Sequence, residues 1–265
     1  MTMEQTNIKG KRISINHVRK EFSIEKETLL VLKDIDLEIA PGEIVSIIGG
    51  SGFGKSTLLR LIAGLDRPND GSISLDGVPV SRPSLDVGVL FQESRLFPWE
   101  NVRKNIAFGL PEKFYKKEKD ELVSKYIRLV GLEGFDKALP GQLSGGMQKR
   151  VAIARTLISS PHILLLDEPF GALDAFTRMN LQEEVVRIWK EQRMTTVLVT
   201  HDIDEAVFMG NRVVIMSSKP GLVQNVINIE LPEPRSRASE DFERTRLKVY
   251  REFFGDDRIS EDYII

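Results

Sequence analysis

The architecture of this chain follows from one stretch, IVSIIGGSGFGKST at residues 44–57. Residues 44–48 are a largely apolar run that predicts a buried strand, and apolar side chains recur at helical spacing over residues 55–63. Between them, residues 49–56 match the pattern GxxxxGK[ST] in the strand-to-helix context in which it binds phosphate. Glycines let successive backbone N–H groups converge on one anion, and the helix start adds its dipole. The stretch therefore predicts a phosphate-binding loop.

Two side chains at the end of this loop define its chemistry. Lys55 can reach the β- and γ-phosphates of a nucleotide, and the Ser56 hydroxyl can ligate Mg²⁺. A glycine-rich turn that merely joins a strand to a helix needs neither of them. We therefore predict a P-loop NTPase whose loop residues at the nucleotide are Gly49, Gly50, Ser51, Gly52, Phe53, Gly54, Lys55, Ser56 and Thr57.

The sequence on either side of the loop alternates between strand and helix patterns. Apolar runs predict strands at residues 87–91, 163–166, 196–200 and 212–216, and helical spacing predicts helices at residues 180–192 and 204–209. This alternation is typical of a parallel α/β sheet with right-handed crossovers. Turn signals at residues 69–71 and 76–77 bracket a strand at 72–75, which predicts a hairpin in an antiparallel sheet.

The segment from about residue 93 to residue 160 has a different character. It contains charged helical stretches at 113–130 and 145–158 and no strand pattern, so we interpret it as a helical subdomain inserted into the sheet domain. The nucleotide-binding domain is predicted to span residues 12–230, and residues 231–265 a short helical tail with a helix at 241–254. The predicted fold class is α/β: a RecA-like P-loop NTPase core with a parallel sheet, an antiparallel β subdomain and the inserted helical subdomain.

Two acids follow the apolar run at residues 163–166. In a parallel sheet, Asp167 and Glu168 would lie at the carboxyl edge, beside the phosphate loop. Asp167 can then hold Mg²⁺, usually through water, and Glu168 can orient and deprotonate an attacking water. Acids at a strand end are often only solvated charges, but beside a phosphate loop they predict a nucleotide hydrolase.

A second helix start carries the marks of a phosphate site. In LSGGMQKR, residues 143–150, Ser144 stands in N-cap position, and Gly145 and Gly146 expose further backbone donors. A monomer has no obvious need for two such sites. The pattern therefore suggests that this helix start serves a nucleotide held by another copy of the chain.

These motifs, in this order, closely resemble those of the ATP-binding cassette ATPases, over about residues 12–225. The resemblance implies that ATP and Mg²⁺ are the cofactors, that Phe22 stacks on adenine, and that His201 contacts the γ-phosphate. It also implies that the GALD loop at residues 171–174 crosses the seam between two copies. The implied catalytic residues are Glu168, His201, Lys55 and Gln92, and the implied Mg²⁺ residues are Ser56, Gln92 and Asp167.

The LSGGMQKR stretch at residues 143–150, which we call the signature, departs from the family at one position. In the family, glutamine is the commonest fifth residue of this motif, directly after leucine-serine-glycine-glycine, whereas this chain has Met147 followed by Gln148. The contacts implied for that fifth side chain are therefore open, but those of Ser144 and the two glycine amides are not.

Further phrases resemble one group of importers. LFPWENV at 96–102, FGALD at 170–174 and SSKPG at 217–221 are similar to the importer ATPases for nitrate, aliphatic sulfonates and taurine. Importers for bicarbonate and thiamine-precursor pyrimidines share these phrases, so sulfonate is our first expectation for the solute and nitrate our second. The resemblance implies membrane permease subunits, an extracytoplasmic solute-binding protein (an indirect partner) and a second copy of this chain as partners. We expect residues 95–99 to face the permease, although aromatics beside a proline also serve plain packing.

Composition limits the alternatives. The 265 residues carry a net charge of −2, so the long-range positive field of a dedicated nucleic-acid binder is missing and we expect no nucleic-acid partner. Zero cysteines exclude a disulfide framework and any Cys-ligated metal. No run approaches the roughly 18 apolar residues that span a bilayer, so we expect a peripheral protein, held on the cytoplasmic side of the cell membrane by other subunits.

Three other functions are weighed against the importer. A non-transport relative in the same family predicts a long coiled-coil insertion, zinc-binding cysteines or two cassettes in one chain, and the sequence has none of them. A small-molecule P-loop kinase would not need Ser144 with its glycines or His201. A pure nucleotide-binding scaffold would not need Glu168.

Overall fold

The computed structural model describes residues 10–24, 27–110, 116–217 and 220–255. Its strands are β1 (Ile13–Ile24), β2 (Glu27–Ile39), β3 (Ile44–Ile48), β4 (Asp70–Leu75), β5 (Val78–Pro79), β6 (Val87–Leu90), β7 (Ile163–Asp167), β8 (Thr195–Thr200), β9 (Arg212–Met216) and β10 (Val223–Asn228). Its α-helices are α1 (Lys55–Ile62), α2 (Val102–Ala107), α3 (Lys116–Leu129), α4 (Gly145–Ile158), α5 (Ala175–Gln192), α6 (Ile203–Met209) and α7 (Glu240–Phe254).

A six-stranded sheet, ordered β10-β9-β3-β8-β7-β6, carries the phosphate loop. Strands β6, β7, β8, β3 and β9 pair in parallel, and β10 pairs antiparallel with β9 at the edge. Every residue of β3, β7 and β8 is buried, as expected for parallel strands covered on both faces. The predicted parallel α/β core is confirmed, but β10 was not predicted, because its polar, half-exposed sequence VQNVIN lacks a buried run.

A separate antiparallel sheet is ordered β2-β1-β4-β5. The predicted hairpin is present, with β4 and β5 joined across the Asp76-Gly77 turn, and β4 begins two residues before the predicted start. Strand β1 pairs with β2 along its length through several register shifts. The two sheets share one apolar core in which Ile13 and Ile39 pack with Leu58 of α1.

Between β6 and β7 the described residues form helices and no strand. Apolar residues of α3 and α4 belong to the same core cluster as Leu164 and Leu166 of β7. The Tyr126 hydroxyl ties the two helices together by donating to the Leu157 carbonyl oxygen at 3.2 Å. The division into a domain over residues 12–230, a helical subdomain over about 93–160 and a tail over 231–265 stays a prediction. Residues 25–26, 111–115, 218–219 and 256–265 of those segments lie outside the described residues.

Helix α5 begins five residues earlier than predicted. The prediction followed apolar spacing, whereas the helix starts where the Asp174 side chain accepts a hydrogen bond from the Thr177 backbone N–H and so caps the first turn. Phe176 in that turn is 76% exposed, which explains why apolar spacing missed it. None of the helices in the described ranges combines the length and the apolar character needed to cross a bilayer.

Candidate functional site

The phosphate loop leaves β3 at the carboxyl edge of the sheet and turns directly into α1. Gly54 begins the helix with a φ of 84°, and a Cβ there would stand 2.4 Å from the Leu32 side chain, so only glycine fits. The Lys55 ammonium lies over the loop and donates to the carbonyl oxygens of Gly49 at 2.7 Å and Gly50 at 3.0 Å. Burial lowers the pKa of Lys55, and the charges of Glu168 and Asp167 oppose that shift. Lys55 therefore places its ammonium group at the phosphate loop.

The last residue of β7 reaches α1 from the neighbouring part of the sheet. Ser56 Oγ donates to Asp167 Oδ1 at 3.0 Å. Burial raises the pKa of Asp167, and this hydrogen bond together with the positive charges of Lys149 and Lys55 counteracts the rise. A hydroxyl and a carboxylate oxygen at this spacing are ligands of the kind that Mg²⁺ prefers, so these residues fit the expected cofactor.

Three strand ends converge on the Glu168 carboxylate. Glu168 has a φ of 45°, and its N–H donates to the Val199 carbonyl oxygen of β8 at 2.9 Å. Gln92, after β6, donates from Nε2 to Glu168 Oε2 at 3.2 Å. His201, after β8, places Nδ1 3.3 Å from Glu168 Oε1. The structure therefore brings Glu168 together with Gln92 and His201, the two other residues that the family resemblance implies in catalysis after these strands.

The second helix start has the predicted cap. The Ser144 hydroxyl accepts from the Met147 backbone N–H at 3.2 Å and so begins α4. A Cβ on Gly145 would meet no atom within 4 Å, whereas a Cβ on Gly146 would stand 3.2 Å from the Ala172 carbonyl oxygen. Gly146 therefore packs against this chain's own GALD loop, and Gly145 faces open space.

The structure accounts for the departure at the fifth signature position. Met147 is partly buried and packs against the main apolar core cluster. Gln148 donates from Nε2 to the carbonyl oxygens of Pro140 at 3.0 Å and Leu143 at 3.3 Å. Met147 therefore packs on this chain's own core, and the Gln148 amide bonds to this chain's own backbone.

The GALD loop at residues 171–174 is anchored next to residues 201–202, which follow β8 and carry His201 (the histidine loop). Arg178 of α5 donates to the Leu173 carbonyl oxygen at 3.0 Å and lies 3.4 Å from Asp202 Oδ2. Sequence reasoning missed Arg178, because its partners lie in two separate loops and no short motif signals them.

The structure leaves the adenine role of Phe22 as a prediction. Phe22 lies on β1, is 37% exposed and pairs across the sheet with Leu29. The Lys20 ammonium stands 4.8 Å from its ring centroid. Strand β2 also supplies Leu32, whose side chain lies against the phosphate loop at Gly54. The antiparallel sheet therefore adjoins the loop, as adenine stacking requires.

A buried acid lies beneath the histidine loop. Glu205 of α6 is 5% exposed and accepts a hydrogen bond from Thr200 Oγ1 at 2.9 Å, while its other oxygen has no hydrogen-bond partner among the described residues. Its pKa is raised from 4.5 to about 8: burial is the main cause, Asp202 and Glu168 contribute to the rise, and Thr200 and Arg178 oppose it. The side chain is therefore protonated at neutral pH.

We expect this proton to make stability depend on pH. Because the folded-state pKa lies above the unfolded value, the free energy of unfolding falls as pH rises from about 4.5 to about 8 and then levels off, by at most about 5 kcal/mol. Glu205→Gln removes this cost, so its stability relative to the unmodified protein should increase across that window. Chemical unfolding at pH 5.5, 7 and 8.5 measures the difference. A constant difference, like that expected for the exposed Glu183→Gln, contradicts the assignment.

Comparison with known proteins agrees with this site. The family model for the ABC transporter matches residues 32–171. The aliphatic sulfonates import ATP-binding protein of Bacillus cereus is 51% identical over 91% of this chain and 95% of its own length. The bicarbonate transport ATP-binding protein of Synechococcus elongatus is 48% identical over 85% of this chain but only 35% of its own length.

A solved structure shows the same fold. A dimeric ATP-binding cassette in a post-hydrolysis state, bound to ADP and phosphate, superposes with a TM-score of 0.75 at 32% identity and covers 82% of this chain and 99% of its own. The phosphate loop, the paired acids and the second capped helix thus stand in a fold shared with a nucleotide-bound relative. The chain belongs to the ABC transporter family, as one of its ATP-hydrolysing proteins.

Proposed function

We propose that this chain hydrolyses ATP with Mg²⁺ to drive solute import, with Glu168 as the general base. The observation that carries the proposal is the position of the Glu168 carboxylate, held between Gln92 and His201 at the edge of the sheet that bears the phosphate loop. A carboxylate so placed can orient a water and take its proton as the water attacks the γ-phosphate.

The remaining residues bind and orient the nucleotide. The loop amides and Lys55 hold the phosphates, and Ser56 and Asp167 are the residues that would hold Mg²⁺. When bound, Mg²⁺ supplies charge neutralisation on the phosphate oxygens. His201 lies beside the base, where its side chain can contact the γ-phosphate. A small-molecule kinase would need an acceptor, so ATP turnover by the purified chain without one tests this function.

We place the second capped helix at the nucleotide of a partner copy. Ser144 and Gly145 are exposed, and the space in front of Gly145 is open. The related cassette bound to ADP and phosphate is dimeric. Two copies would then form two composite sites, each with the phosphate loop of one chain and helix α4, the signature helix, of the other.

An exposed aromatic cluster offers an attachment point for a permease. Trp99 and Phe108 are 72% and 69% exposed, and both rings contact Phe97, at centroid distances of 5.7 Å and 4.6 Å. Hydrogen bonds fix the backbone of the loop at residues 94–97, since the buried Asn105 accepts from the Phe97 N–H and donates to the Phe97 carbonyl oxygen. Arg155 of α4 adds bonds to two further loop carbonyls. Exposed aromatics on a fixed loop are typical of an interaction site.

Trp99→Ala should therefore weaken recruitment of this chain to membranes that contain its permease. Fractionation of cells that co-express permease and variant measures the membrane-bound share, which we expect to fall several-fold. Leu85→Ala removes an even more exposed apolar side chain elsewhere on the surface and should have no effect. Normal recruitment of the Trp99→Ala variant would show that Trp99 serves packing and not attachment to the permease.

We propose the cytoplasmic face of the cell membrane as the location and aliphatic sulfonate as the solute, with nitrate second and taurine, bicarbonate or a thiamine-precursor pyrimidine as further options. The sulfonate relative is matched over nearly its whole length, which favours the first choice. The nucleotide site itself carries no solute contacts. The decisive experiment is to identify the permease and the solute-binding protein encoded beside this chain and to measure which solute that binding protein binds.

A further inference from the structure

Lys149 occupies a position that the functions described above leave unexplained. It is a lysine with only 2% of its surface exposed, in the first turns of α4. A buried ammonium loses its hydration and needs protein acceptors in exchange. Its Nζ donates to the backbone carbonyl oxygens of Phe91 at 2.9 Å and Gln92 at 2.7 Å. Lys149 thus ties the helix that begins at Ser144 to the backbone that follows β6.

The backbone that Lys149 holds includes Gln92, one of the residues beside Glu168 at the carboxyl edge of the sheet (the catalytic edge). Gln92 is exposed, and its side-chain amide reaches Glu168 Oε2 at 3.2 Å. Carbonyls of Phe91 and Gln92 without the ammonium would have to turn toward other donors or water. Such a rotation would move the base of the Gln92 side chain and lengthen its contact with Glu168.

The charge of Lys149 also acts on the acid pair. Burial lowers the pKa of Lys149, whereas Asp167 and Glu168 raise it. In the other direction, the Lys149 charge lowers the pKa of Asp167, against the larger effect of burial. The groups that act on Asp167 are thus Lys149 from α4, Lys55 and Ser56 from α1, and Glu168 beside it.

We propose that Lys149 is a positioning residue for ATP hydrolysis, which acts through Gln92 and couples the orientation of the signature helix to the hydrogen bond between Gln92 and Glu168. The proposal rests on the assignment of Glu168 as the base. Because the first residues of α4 are those placed at the partner's nucleotide, engagement of that helix would bear directly on hydrolysis at this chain's own site. We call the two hydrogen bonds from Lys149 to Phe91 and Gln92 the clamp. Sequence motifs do not reveal it, since its acceptors are backbone atoms 57 and 58 residues away.

The next residue on the helix supplies a matched control. Arg150 also donates to two backbone carbonyl oxygens, those of Val130 at 3.0 Å and Gly131 at 3.1 Å. Both acceptors lie at the end of α3, away from Gln92. Arg150→Met and Lys149→Met therefore each remove a cation that bridges two backbone carbonyls, but only the second removes the link to the catalytic edge.

The test measures steady-state ATPase activity and nucleotide affinity of both variants. We expect Lys149→Met to lower kcat by about 10- to 100-fold, the usual effect of misplacing a catalytic group, with the Kd for ATP changed by less than about twofold. Arg150→Met should keep its kcat, and Lys149→Arg should recover part of the loss.

A double variant tests the route through Gln92. If Lys149 acts through that amide, adding Lys149→Met to Gln92→Ala should cost less than about twofold more. Additive losses, an equal loss in Arg150→Met, or a rise in KM alone would overturn the proposal. Should Lys149→Met fail to fold, Lys149→Gln is put through the same comparisons. A normal kcat in the Lys149 variant beside an inactive Glu168→Gln refutes the clamp alone, whereas an active Glu168→Gln refutes the base assignment.

Discussion

Glu168→Gln should retain ATP binding and lose about 10²- to 10⁴-fold in steady-state turnover, the usual contribution of a general base. Glutamine keeps the shape of the side chain and can still meet Gln92 and His201 by hydrogen bonding. It cannot accept a proton from water at neutral pH. Phosphate release by the purified variant measures turnover, and binding of a fluorescent ATP analogue measures affinity.

The same change should alter how long two copies stay together. Removing a negative charge beside the γ-phosphate lowers repulsion, and slow hydrolysis prolongs the ATP-bound form, so size-exclusion chromatography with ATP should show more dimer. Glu183→Gln on the exposed face of α5 removes the same charge at a distance and should leave both turnover and association unchanged. Near-normal hydrolysis by Glu168→Gln, free of unmodified protein, would remove Glu168 from the base role.

Buried strands made the core of this fold predictable. The runs at β3, β7 and β8 are buried throughout, and their apolar and β-branched residues mark them as strands. Because the carboxyl ends of parallel strands meet at one edge, the residues after these strands could be placed together without coordinates. The edge strand β10 escaped this reasoning, since its outward residues are polar and its pairing depends on β9.

The contacts that hold the site in shape were not predictable in the same way. Lys149 and Arg178 both donate to backbone carbonyls, which leave no trace in the identity of the acceptor residue. Glu205 is similar: nothing in its local sequence shows that it is buried beneath the histidine loop. Residue types therefore predicted the groups that act on the nucleotide, whereas the supporting contacts required the fold.

A dimer that combines two defects should reveal whether sites are shared between copies. If each site takes Lys55 from one chain and Ser144 from the other, one Lys55→Ala subunit paired with one Ser144→Arg subunit concentrates both defects in one site. Both changes in one subunit, opposite an unmodified subunit, damage both sites. Should the two sites act independently, the first dimer is expected to keep measurable hydrolysis and the second to lose it. Strict coupling between sites would silence both dimers, so a second measurement is needed.

Disulfide crosslinking provides that measurement, because the chain contains no cysteine of its own. Ser51 and Ser144 are both exposed in the single chain, one in the phosphate loop and the other at the start of the signature helix. In a composite site they approach the same nucleotide from two chains, so Ser51→Cys and Ser144→Cys should crosslink between copies when ATP is added. The Glu168→Gln background prolongs that state and should raise the yield, and ADP should lower it. Crosslinks found only within one chain, with or without ATP, would refute the shared site and with it the role of Ser144 at a partner's nucleotide.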